Sequence, residues 1–166
     1  GNSFSFADLG CGNGWVVRKV AEHEQCEQAD GFDGAEHMIE KAKAVDSDNG
    51  YLLAMFPETK PLQQYNIIHS MEFIYYLHDP KGMLQSIHDD WLSDDGWAVI
   101  GIDHYAEHEE SLGWPEALDV HMSTHSENEW IAMWNEVGFT EVHAWRANQS
   151  PGKPGTLAIL GKKSQR

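Results

Sequence analysis

Apolar residues in this chain follow two rhythms, and the way they alternate predicts a succession of strands and helices. Short apolar runs at 4–9, 29–32, 51–54, 65–70 and 97–102 are bounded by turn-forming residues, as in strands buried within a sheet. Between them the spacing is helical. A helix is expected from about 14 to 23, with Trp15, Val16, Lys19 and Val20 forming a partly apolar face, and another over 35–45, where Ala35, Met38, Ile39, Ala42 and Val45 share one stripe. Asp79-Pro80 supplies an N-cap and a first-turn proline for a helix that buries Met83, Leu84, Ile87, Trp91 and Leu92. Ser126-Glu127-Asn128-Glu129 has the form of a capping box, opening a helix with Trp130, Ile131, Met133, Trp134 and Val137 inside and Gly138 at its end. The runs 139–145 and 156–160 flank the turn-rich 148–154 and predict an antiparallel pair closing the sheet. The order strand, helix, strand at the start predicts an α/β fold with a parallel, doubly wound sheet. Residues 103–125 show little periodicity and contain Pro115, so a cap segment is expected there rather than a simple connector.

Length and charge narrow this picture. At 166 residues the chain suits one domain over 1–166 and is too short for a barrel of eight βα units or a two-domain dehydrogenase. No stretch approaches 18 uninterrupted apolar residues and no signal-peptide pattern opens the chain, which predicts no membrane partner and a cytoplasmic location. Cys11 and Cys26 make neither a disulfide scaffold nor a zinc site. The formal net charge is −16, and between Gly82 and Trp145 there are 14 carboxylates and no Lys or Arg, so a nucleic-acid backbone would be repelled. Two readings of that acidity stay open: a solvated surface of the kind salt-tolerant organisms use, or a field that attracts a cationic substrate.

The first strand ends in Asp8-Leu9-Gly10-Cys11-Gly12-Asn13-Gly14, where missing Cβ atoms let backbone approach a ligand closely. The next strand ends at Asp33, where a carboxylate can accept both hydroxyls of a ribose. A nucleoside-containing cofactor follows. A dinucleotide fingerprint would need glycine where Trp15 stands, and no Gly-Lys-Ser/Thr tripeptide exists for a phosphate loop.

The segment 8–14 resembles motif I of the class I S-adenosylmethionine-dependent methyltransferases, and Gly31-Phe32-Asp33 through Met38 to Lys43 looks like their second motif. The likeness extends through Asn66-Ile67-Ile68-His69-Ser70-Met71-Glu72 to the terminal hairpin and points to the broad group that acts on small molecules. It implies a Rossmann-like sheet of seven strands, mostly parallel, with an antiparallel C-terminal strand and helices on both faces. It also implies S-adenosyl-L-methionine as cofactor and S-adenosyl-L-homocysteine as product. By position, Asp8, Gly10, Cys11, Gly12 and Gly14 would hold the methionine portion, Asp33 beside Gly34 the ribose, and Met38 would pack near the cofactor. The family usually presents an Asp to the adenine after the third strand. This chain has Ala54, so Met55 and Phe56 are expected to sandwich the adenine with a backbone acceptor in place of the carboxylate. Ser70, Met71 and Glu72 would face the transferable methyl.

Methyl transfer is an in-line displacement that needs alignment rather than a nucleophilic residue. If the acceptor must lose a proton, the candidate bases are Glu72 and His104, with Tyr75 and Tyr105 as positioning groups. Packing or rim contact is the alternative for Tyr75 and Tyr76, and an exposed loop position for His104. His104/His108 and His121/His125 have a four-residue spacing but lack the acid of a zinc helix, and no metal is expected. Trp130 and Trp134 are expected in the core. Similar methyltransferases carry an N-terminal helical segment over the site, whereas this chain opens on its first strand. The cover is therefore expected from a missing segment or a partner chain, with 103–125 as a partial roof, and binding by the open site should be weak. The alternative function is a non-catalytic module that binds the nucleoside and serves regulation or a partner.

Overall fold

The computed structural model describes residues 2–165. Its strands are β1 (Phe4–Leu9), β2 (Cys26–Asp33), β3 (Gly50–Leu53), β4 (Tyr65–Met71), β5 (Leu92–Ile102), β6 (Thr140–Ala147) and β7 (Thr156–Lys162). The helices are α1 (Trp15–Ala21), α2 (Glu36–Val45), α3 (Pro80–Ser86), α4 (Trp114–Leu118) and α5 (Glu127–Val137). All seven strands join one sheet in the order β3-β2-β1-β4-β5-β7-β6. The first five pair in parallel, and β7 runs antiparallel to both β5 and β6. This is the Rossmann-like architecture expected above.

Alternation along the strands divides the interior into two layers. Ala7, Leu9 and Ile68 face a large core with Met83 and Leu84 of α3 and Trp130, Trp134 and Val137 of α5. Phe6 faces the opposite, smaller core with Val17 of α1 and Ile39 and Ala42 of α2. The end of α5 is set as the sequence implies: Ser126 Oγ accepts from Glu129 N, the Glu129 carboxylate accepts from Ser126 N, and Gly138 closes the helix at φ 112°. Asp79 likewise accepts from Gly82 N at the start of α3.

Three boundaries differ from expectation by more than two residues. β2 begins at Cys26 because it pairs with β1 from Phe4 onward, although its exposed Glu27 and Gln28 give no apolar signal. The helix expected to reach Leu92 leaves α-geometry after Ser86 and finishes as a π-turn over Ile87–Trp91. β5 then starts at Leu92, and the Asp94-Asp95-Gly96 turn becomes an irregularity inside the strand, with Asp95 at φ 61°. Among the described residues no helix is long and apolar enough to cross a membrane.

The strand order reverses between β1 and β4: the chain leaves β1 toward β2 and β3, then returns to lay β4 on β1's other side. In open α/β sheets ligands bind beyond the carboxyl ends of the strands at such a reversal.

Candidate active site at the β1–β4 switch

The turn after β1 is tied to the end of β2. Gly10 N and Cys11 N both donate to Phe32 O, at 2.7 and 3.0 Å, and Gly14 N donates to Cys11 O at 3.0 Å. Gly10, Gly12 and Gly14 have φ of 81°, 54° and 79°, a region L-residues rarely occupy. At Gly14 there is a steric reason as well, since a Cβ would lie 2.3 Å from the Tyr51 ring. Arg18 Nη1 donates to Asn13 O at 2.7 Å and holds the turn against α1.

Asp33 reaches this turn. Its Oδ2 accepts from Gly12 N at 2.8 Å and its Oδ1 from Ala35 N at 2.8 Å. A carboxylate offers about four acceptor positions, so two remain open, although Asp33, Gly14 and Gly34 stand beside the cavity next to this turn and do not line it.

Beside the turn lies a cavity of 410 Å³ bordered by Asp8, Gly10, Cys11, Gly12, Asn13, Trp15, Val16, Met38, His69, Met71 and Glu72. Asp8 is buried, and its Oδ1 lies 2.8 Å from His69 Nδ1. The Met38 methyl approaches Gly12, where a Cβ would come within 3.3 Å of it. Burial, with Asp8 and Asp33 adding negative charge, pushes the Cys11 thiol up to about 12, so this lining sulfur stays neutral.

Several expected site residues lie elsewhere. Ser70 is buried and donates to Leu9 O at 2.8 Å; strand parity turns it to the face opposite His69 and Met71. Phe56 packs into the large core, edge-on to Phe73 at 5.1 Å and near Trp91 at 5.8 Å, rather than offering a free face to a base. Met55 is 61% exposed, close to Gly34 on the rim at β3's end and outside the cavity lining. Tyr105 is buried, donates to Gly155 O at 2.7 Å and lies beneath the Arg146 guanidinium. Trp130 and Trp134 are core residues, as expected.

His104 is neither exposed nor available. It is fully buried, with Nδ1 3.0 Å from Ser111 O and Nε2 2.6 Å from Thr124 Oγ1. Both ring nitrogens are in use, and burial lowers its proton affinity. His121, from the other histidine pair, stacks on His78 at 3.8 Å. Among the described residues no three His, Cys, Asp or Glu side chains converge in a way that could hold a metal.

Glu72 stands at the end of β4 at φ 53°, a left-handed conformation that a non-glycine residue adopts only under constraint. Its hydrogen bond to Asp103, at the end of β5, together with burial and that residue's charge, raises its proton affinity to about 7. The partner Asp103 was not anticipated, although ends of adjacent parallel strands are where such pairs form. A raised carboxylate contributes stability that is fully present below its ordinary 4.5 and is lost as pH rises through about 7. Glu72→Gln should therefore melt near the wild-type temperature at about pH 5 and above it at about pH 9, measured by thermal denaturation across that range. A variant that loses ground to the wild type as pH rises would contradict the repelling pair.

Solved methyltransferases share this frame. A Haloferax volcanii methyltransferase in complex with the Trm112 methyltransferase activator is 21% identical, with a TM-score of 0.83 over 99% of this chain and 84% of that one. An S-adenosylmethionine-dependent methyltransferase from Mesorhizobium loti is 19% identical, with a TM-score of 0.81 over 97% and 91% of the two chains. Human N-acetylserotonin methyltransferase in complex with S-adenosylmethionine is 16% identical, with a TM-score of 0.71 over 98% of this chain and 48% of that one. No curated protein sequence matches the chain. The family described as "Methyltransferase domain" matches residues 5–144, most of the sequence, and the protein accordingly belongs to the S-adenosylmethionine-dependent class I methyltransferases.

Proposed function

We propose that this protein transfers the methyl group of S-adenosylmethionine to a small-molecule acceptor, with the cofactor held in the 410 Å³ cavity beside the glycine turn. The observation that supports this reading is the Asp33 carboxylate fastened to Gly12, which puts a charged acceptor group next to backbone stripped of Cβ atoms at the cavity's edge. Asp33 would take the ribose hydroxyls on its two remaining acceptor positions. Asp8, aligned by His69, would face the ammonium of the methionine portion, and Met38, Trp15 and Val16 would supply apolar walls. Met71 borders the same space from the end of β4.

When bound, the sulfonium supplies an electrophilic methyl that leaves with no electron pair, which stays on sulfur. The chain's residues then need only align donor and acceptor, an effect worth roughly 7 to 11 kcal/mol of barrier when complete. Glu72 borders the cavity and, with His104 occupied, is the remaining side chain of the expected pair to receive a proton from the acceptor.

A partner chain that completes the site is also proposed. Trp15, 64% exposed at the cavity's border, is the surface such a cover would meet, and the Haloferax volcanii relative was solved with an activator protein.

Calorimetry with S-adenosylmethionine and S-adenosylhomocysteine tests the assignment, followed by mass spectrometry of a metabolite pool incubated with a deuterated methyl donor. Binding of both ligands and a deuterated product are expected. Failure of both to bind would overturn the reading. Binding without transfer to any acceptor would replace catalysis with the binding-module alternative.

A further inference from the structure

A second cavity of 350 Å³ adjoins the first. It is bordered by Glu72, Tyr75, Tyr76, Asp103, Trp114, Ala117 and Leu118, and Glu72 is the residue it has in common with the cofactor cavity. The two spaces therefore meet at one carboxylate, where a group entering from the second would confront a methyl presented from the first.

The walls of this cavity have a definite chemistry. Tyr75 and Tyr76 lie with ring centroids 4.8 Å apart, Tyr75 buried and Tyr76 40% exposed. Trp114 and Leu118 come from α4, in the cap segment. That segment is fastened over the site: Ser123 N donates to Tyr75 O at 2.7 Å and Ser123 Oγ to Leu77 O at 2.6 Å. The floor carries the Glu72–Asp103 pair, with Asp103 Oδ1 accepting from Thr156 Oγ1 at 2.6 Å.

Among the described residues no Lys or Arg lines this cavity. His104, its ring centre 5.9 Å from that of Tyr75 and 6.5 Å from that of Trp114, is disfavoured by burial from taking a proton, and its two nitrogens are engaged by Ser111 and Thr124. Tyr75 likewise remains a neutral phenol, its proton held by burial and by the surrounding negative charge. Aromatic faces and paired carboxylates both favour a cation. The absence of Lys and Arg throughout 82–145, which includes Asp103 and Trp114, extends the same sign of field around the entrance.

We propose that this cavity receives the methyl acceptor, and that the acceptor is a small primary or secondary amine on an aromatic or apolar body, bound as its ammonium between the carboxylate pair and the tyrosine and tryptophan rings. The proposal rests on the methyl-transfer reading above and names its substrate class. Proton and electron balance are simple. The ammonium gives one proton to the Glu72 carboxylate, and its freed lone pair forms the N–C bond as the C–S bond of the donor breaks. The sulfur keeps the bonding pair, and the product leaves as a methylated ammonium. A base whose proton affinity lies near neutrality suits that transfer. A carboxylic acid of the same shape would be repelled, and an alcohol would lose the charge-assisted contacts.

The test uses the full chain saturated with S-adenosylhomocysteine and three isosteric probes: 2-phenylethylamine, 2-phenylethanol and 3-phenylpropanoate. Calorimetry should show the amine binding at least about tenfold more tightly than the alcohol, with the carboxylate not binding. Trp114→Ala and Asp103→Asn should each weaken amine binding by about tenfold or more while leaving the affinity for S-adenosylhomocysteine unchanged, which also verifies that both variants fold. Incubation with the deuterated methyl donor should give N-methylated 2-phenylethylamine. Equal binding of the three probes, no binding of the amine to the saturated protein, or amine binding that survives both substitutions would overturn the proposal. If S-adenosylhomocysteine itself does not bind the wild type, the methyl-transfer reading fails first, and that result is distinct from rejection of the amine.

Discussion

Replacing Asp33 with Ala is expected to weaken S-adenosylhomocysteine binding by about 100-fold, close to 3 kcal/mol. The magnitude follows from what one side chain does. A charge-assisted hydrogen bond contributes about 1.5 to 3 kcal/mol net, and a ribose diol offers two donors to this carboxylate. The same oxygens hold Gly12 N and Ala35 N, so the substitution also releases the turn that shapes the pocket. Asp33→Asn separates these contributions. Its single carbonyl oxygen can keep one backbone contact but cannot accept from both backbone groups and both hydroxyls, so its affinity should fall between wild type and Ala. Calorimetry at constant ionic strength measures all three. Near-wild-type affinity in the Ala variant would remove Asp33 from the binding site and with it the proposed placement of the cofactor.

Trp91→Ala should have the largest effect on stability, about 3 to 5 kcal/mol by equilibrium urea denaturation. Trp91 is fully buried at the end of the π-turn and packs edge-on against Phe32 at 4.9 Å, with Phe56 at 5.8 Å. Truncation removes the indole from both rings and leaves a void that a sheet-backed core closes only in part. Domains of this size carry about 5 to 15 kcal/mol in total, so a large share of the margin would go. Phe32 immediately precedes Asp33, and its carbonyl anchors Gly10 and Cys11, so loosened packing reaches the pocket through the strand itself. Trp91→Phe keeps a ring in place and should cost clearly less. A loss below about 1 kcal/mol for the Ala variant would mean that the core repacks around the gap.

Local signals were readable wherever neighbouring residues alone decide the outcome. The Ser126–Glu129 box, the Asp79-Pro80 start and the Gly138 stop depend on contacts within a few residues, and all three stand as expected. The glycine turn and Asp33 could be paired because both terminate strands that open a βαβ unit. Errors arose where the third dimension selects among neighbours. Ser70 and His69 are adjacent, but parity sends His69 toward the cavity, where it pairs with Asp8 across the register Asp8↔His69, and sends Ser70 into the core layer. Counting two-residue alternation forward from buried Ile68 puts Ser70 on its face and His69 on the other. His104 failed for a different reason: its partners Ser111 and Thr124 are 7 and 20 positions away within an aperiodic segment, where no spacing rule applies. Asp103 as the companion of Glu72 required knowing that β4 and β5 are adjacent.

The bond from Gly12 to Asp33 fastens the glycine turn to the end of β2 through the protein's own groups. A segment tied in this way has less conformational freedom to lose when a ligand arrives than an untied one, so less of the contact energy goes into ordering it. Loosening the tie should therefore show itself in how long a nucleoside stays more than in how fast it arrives.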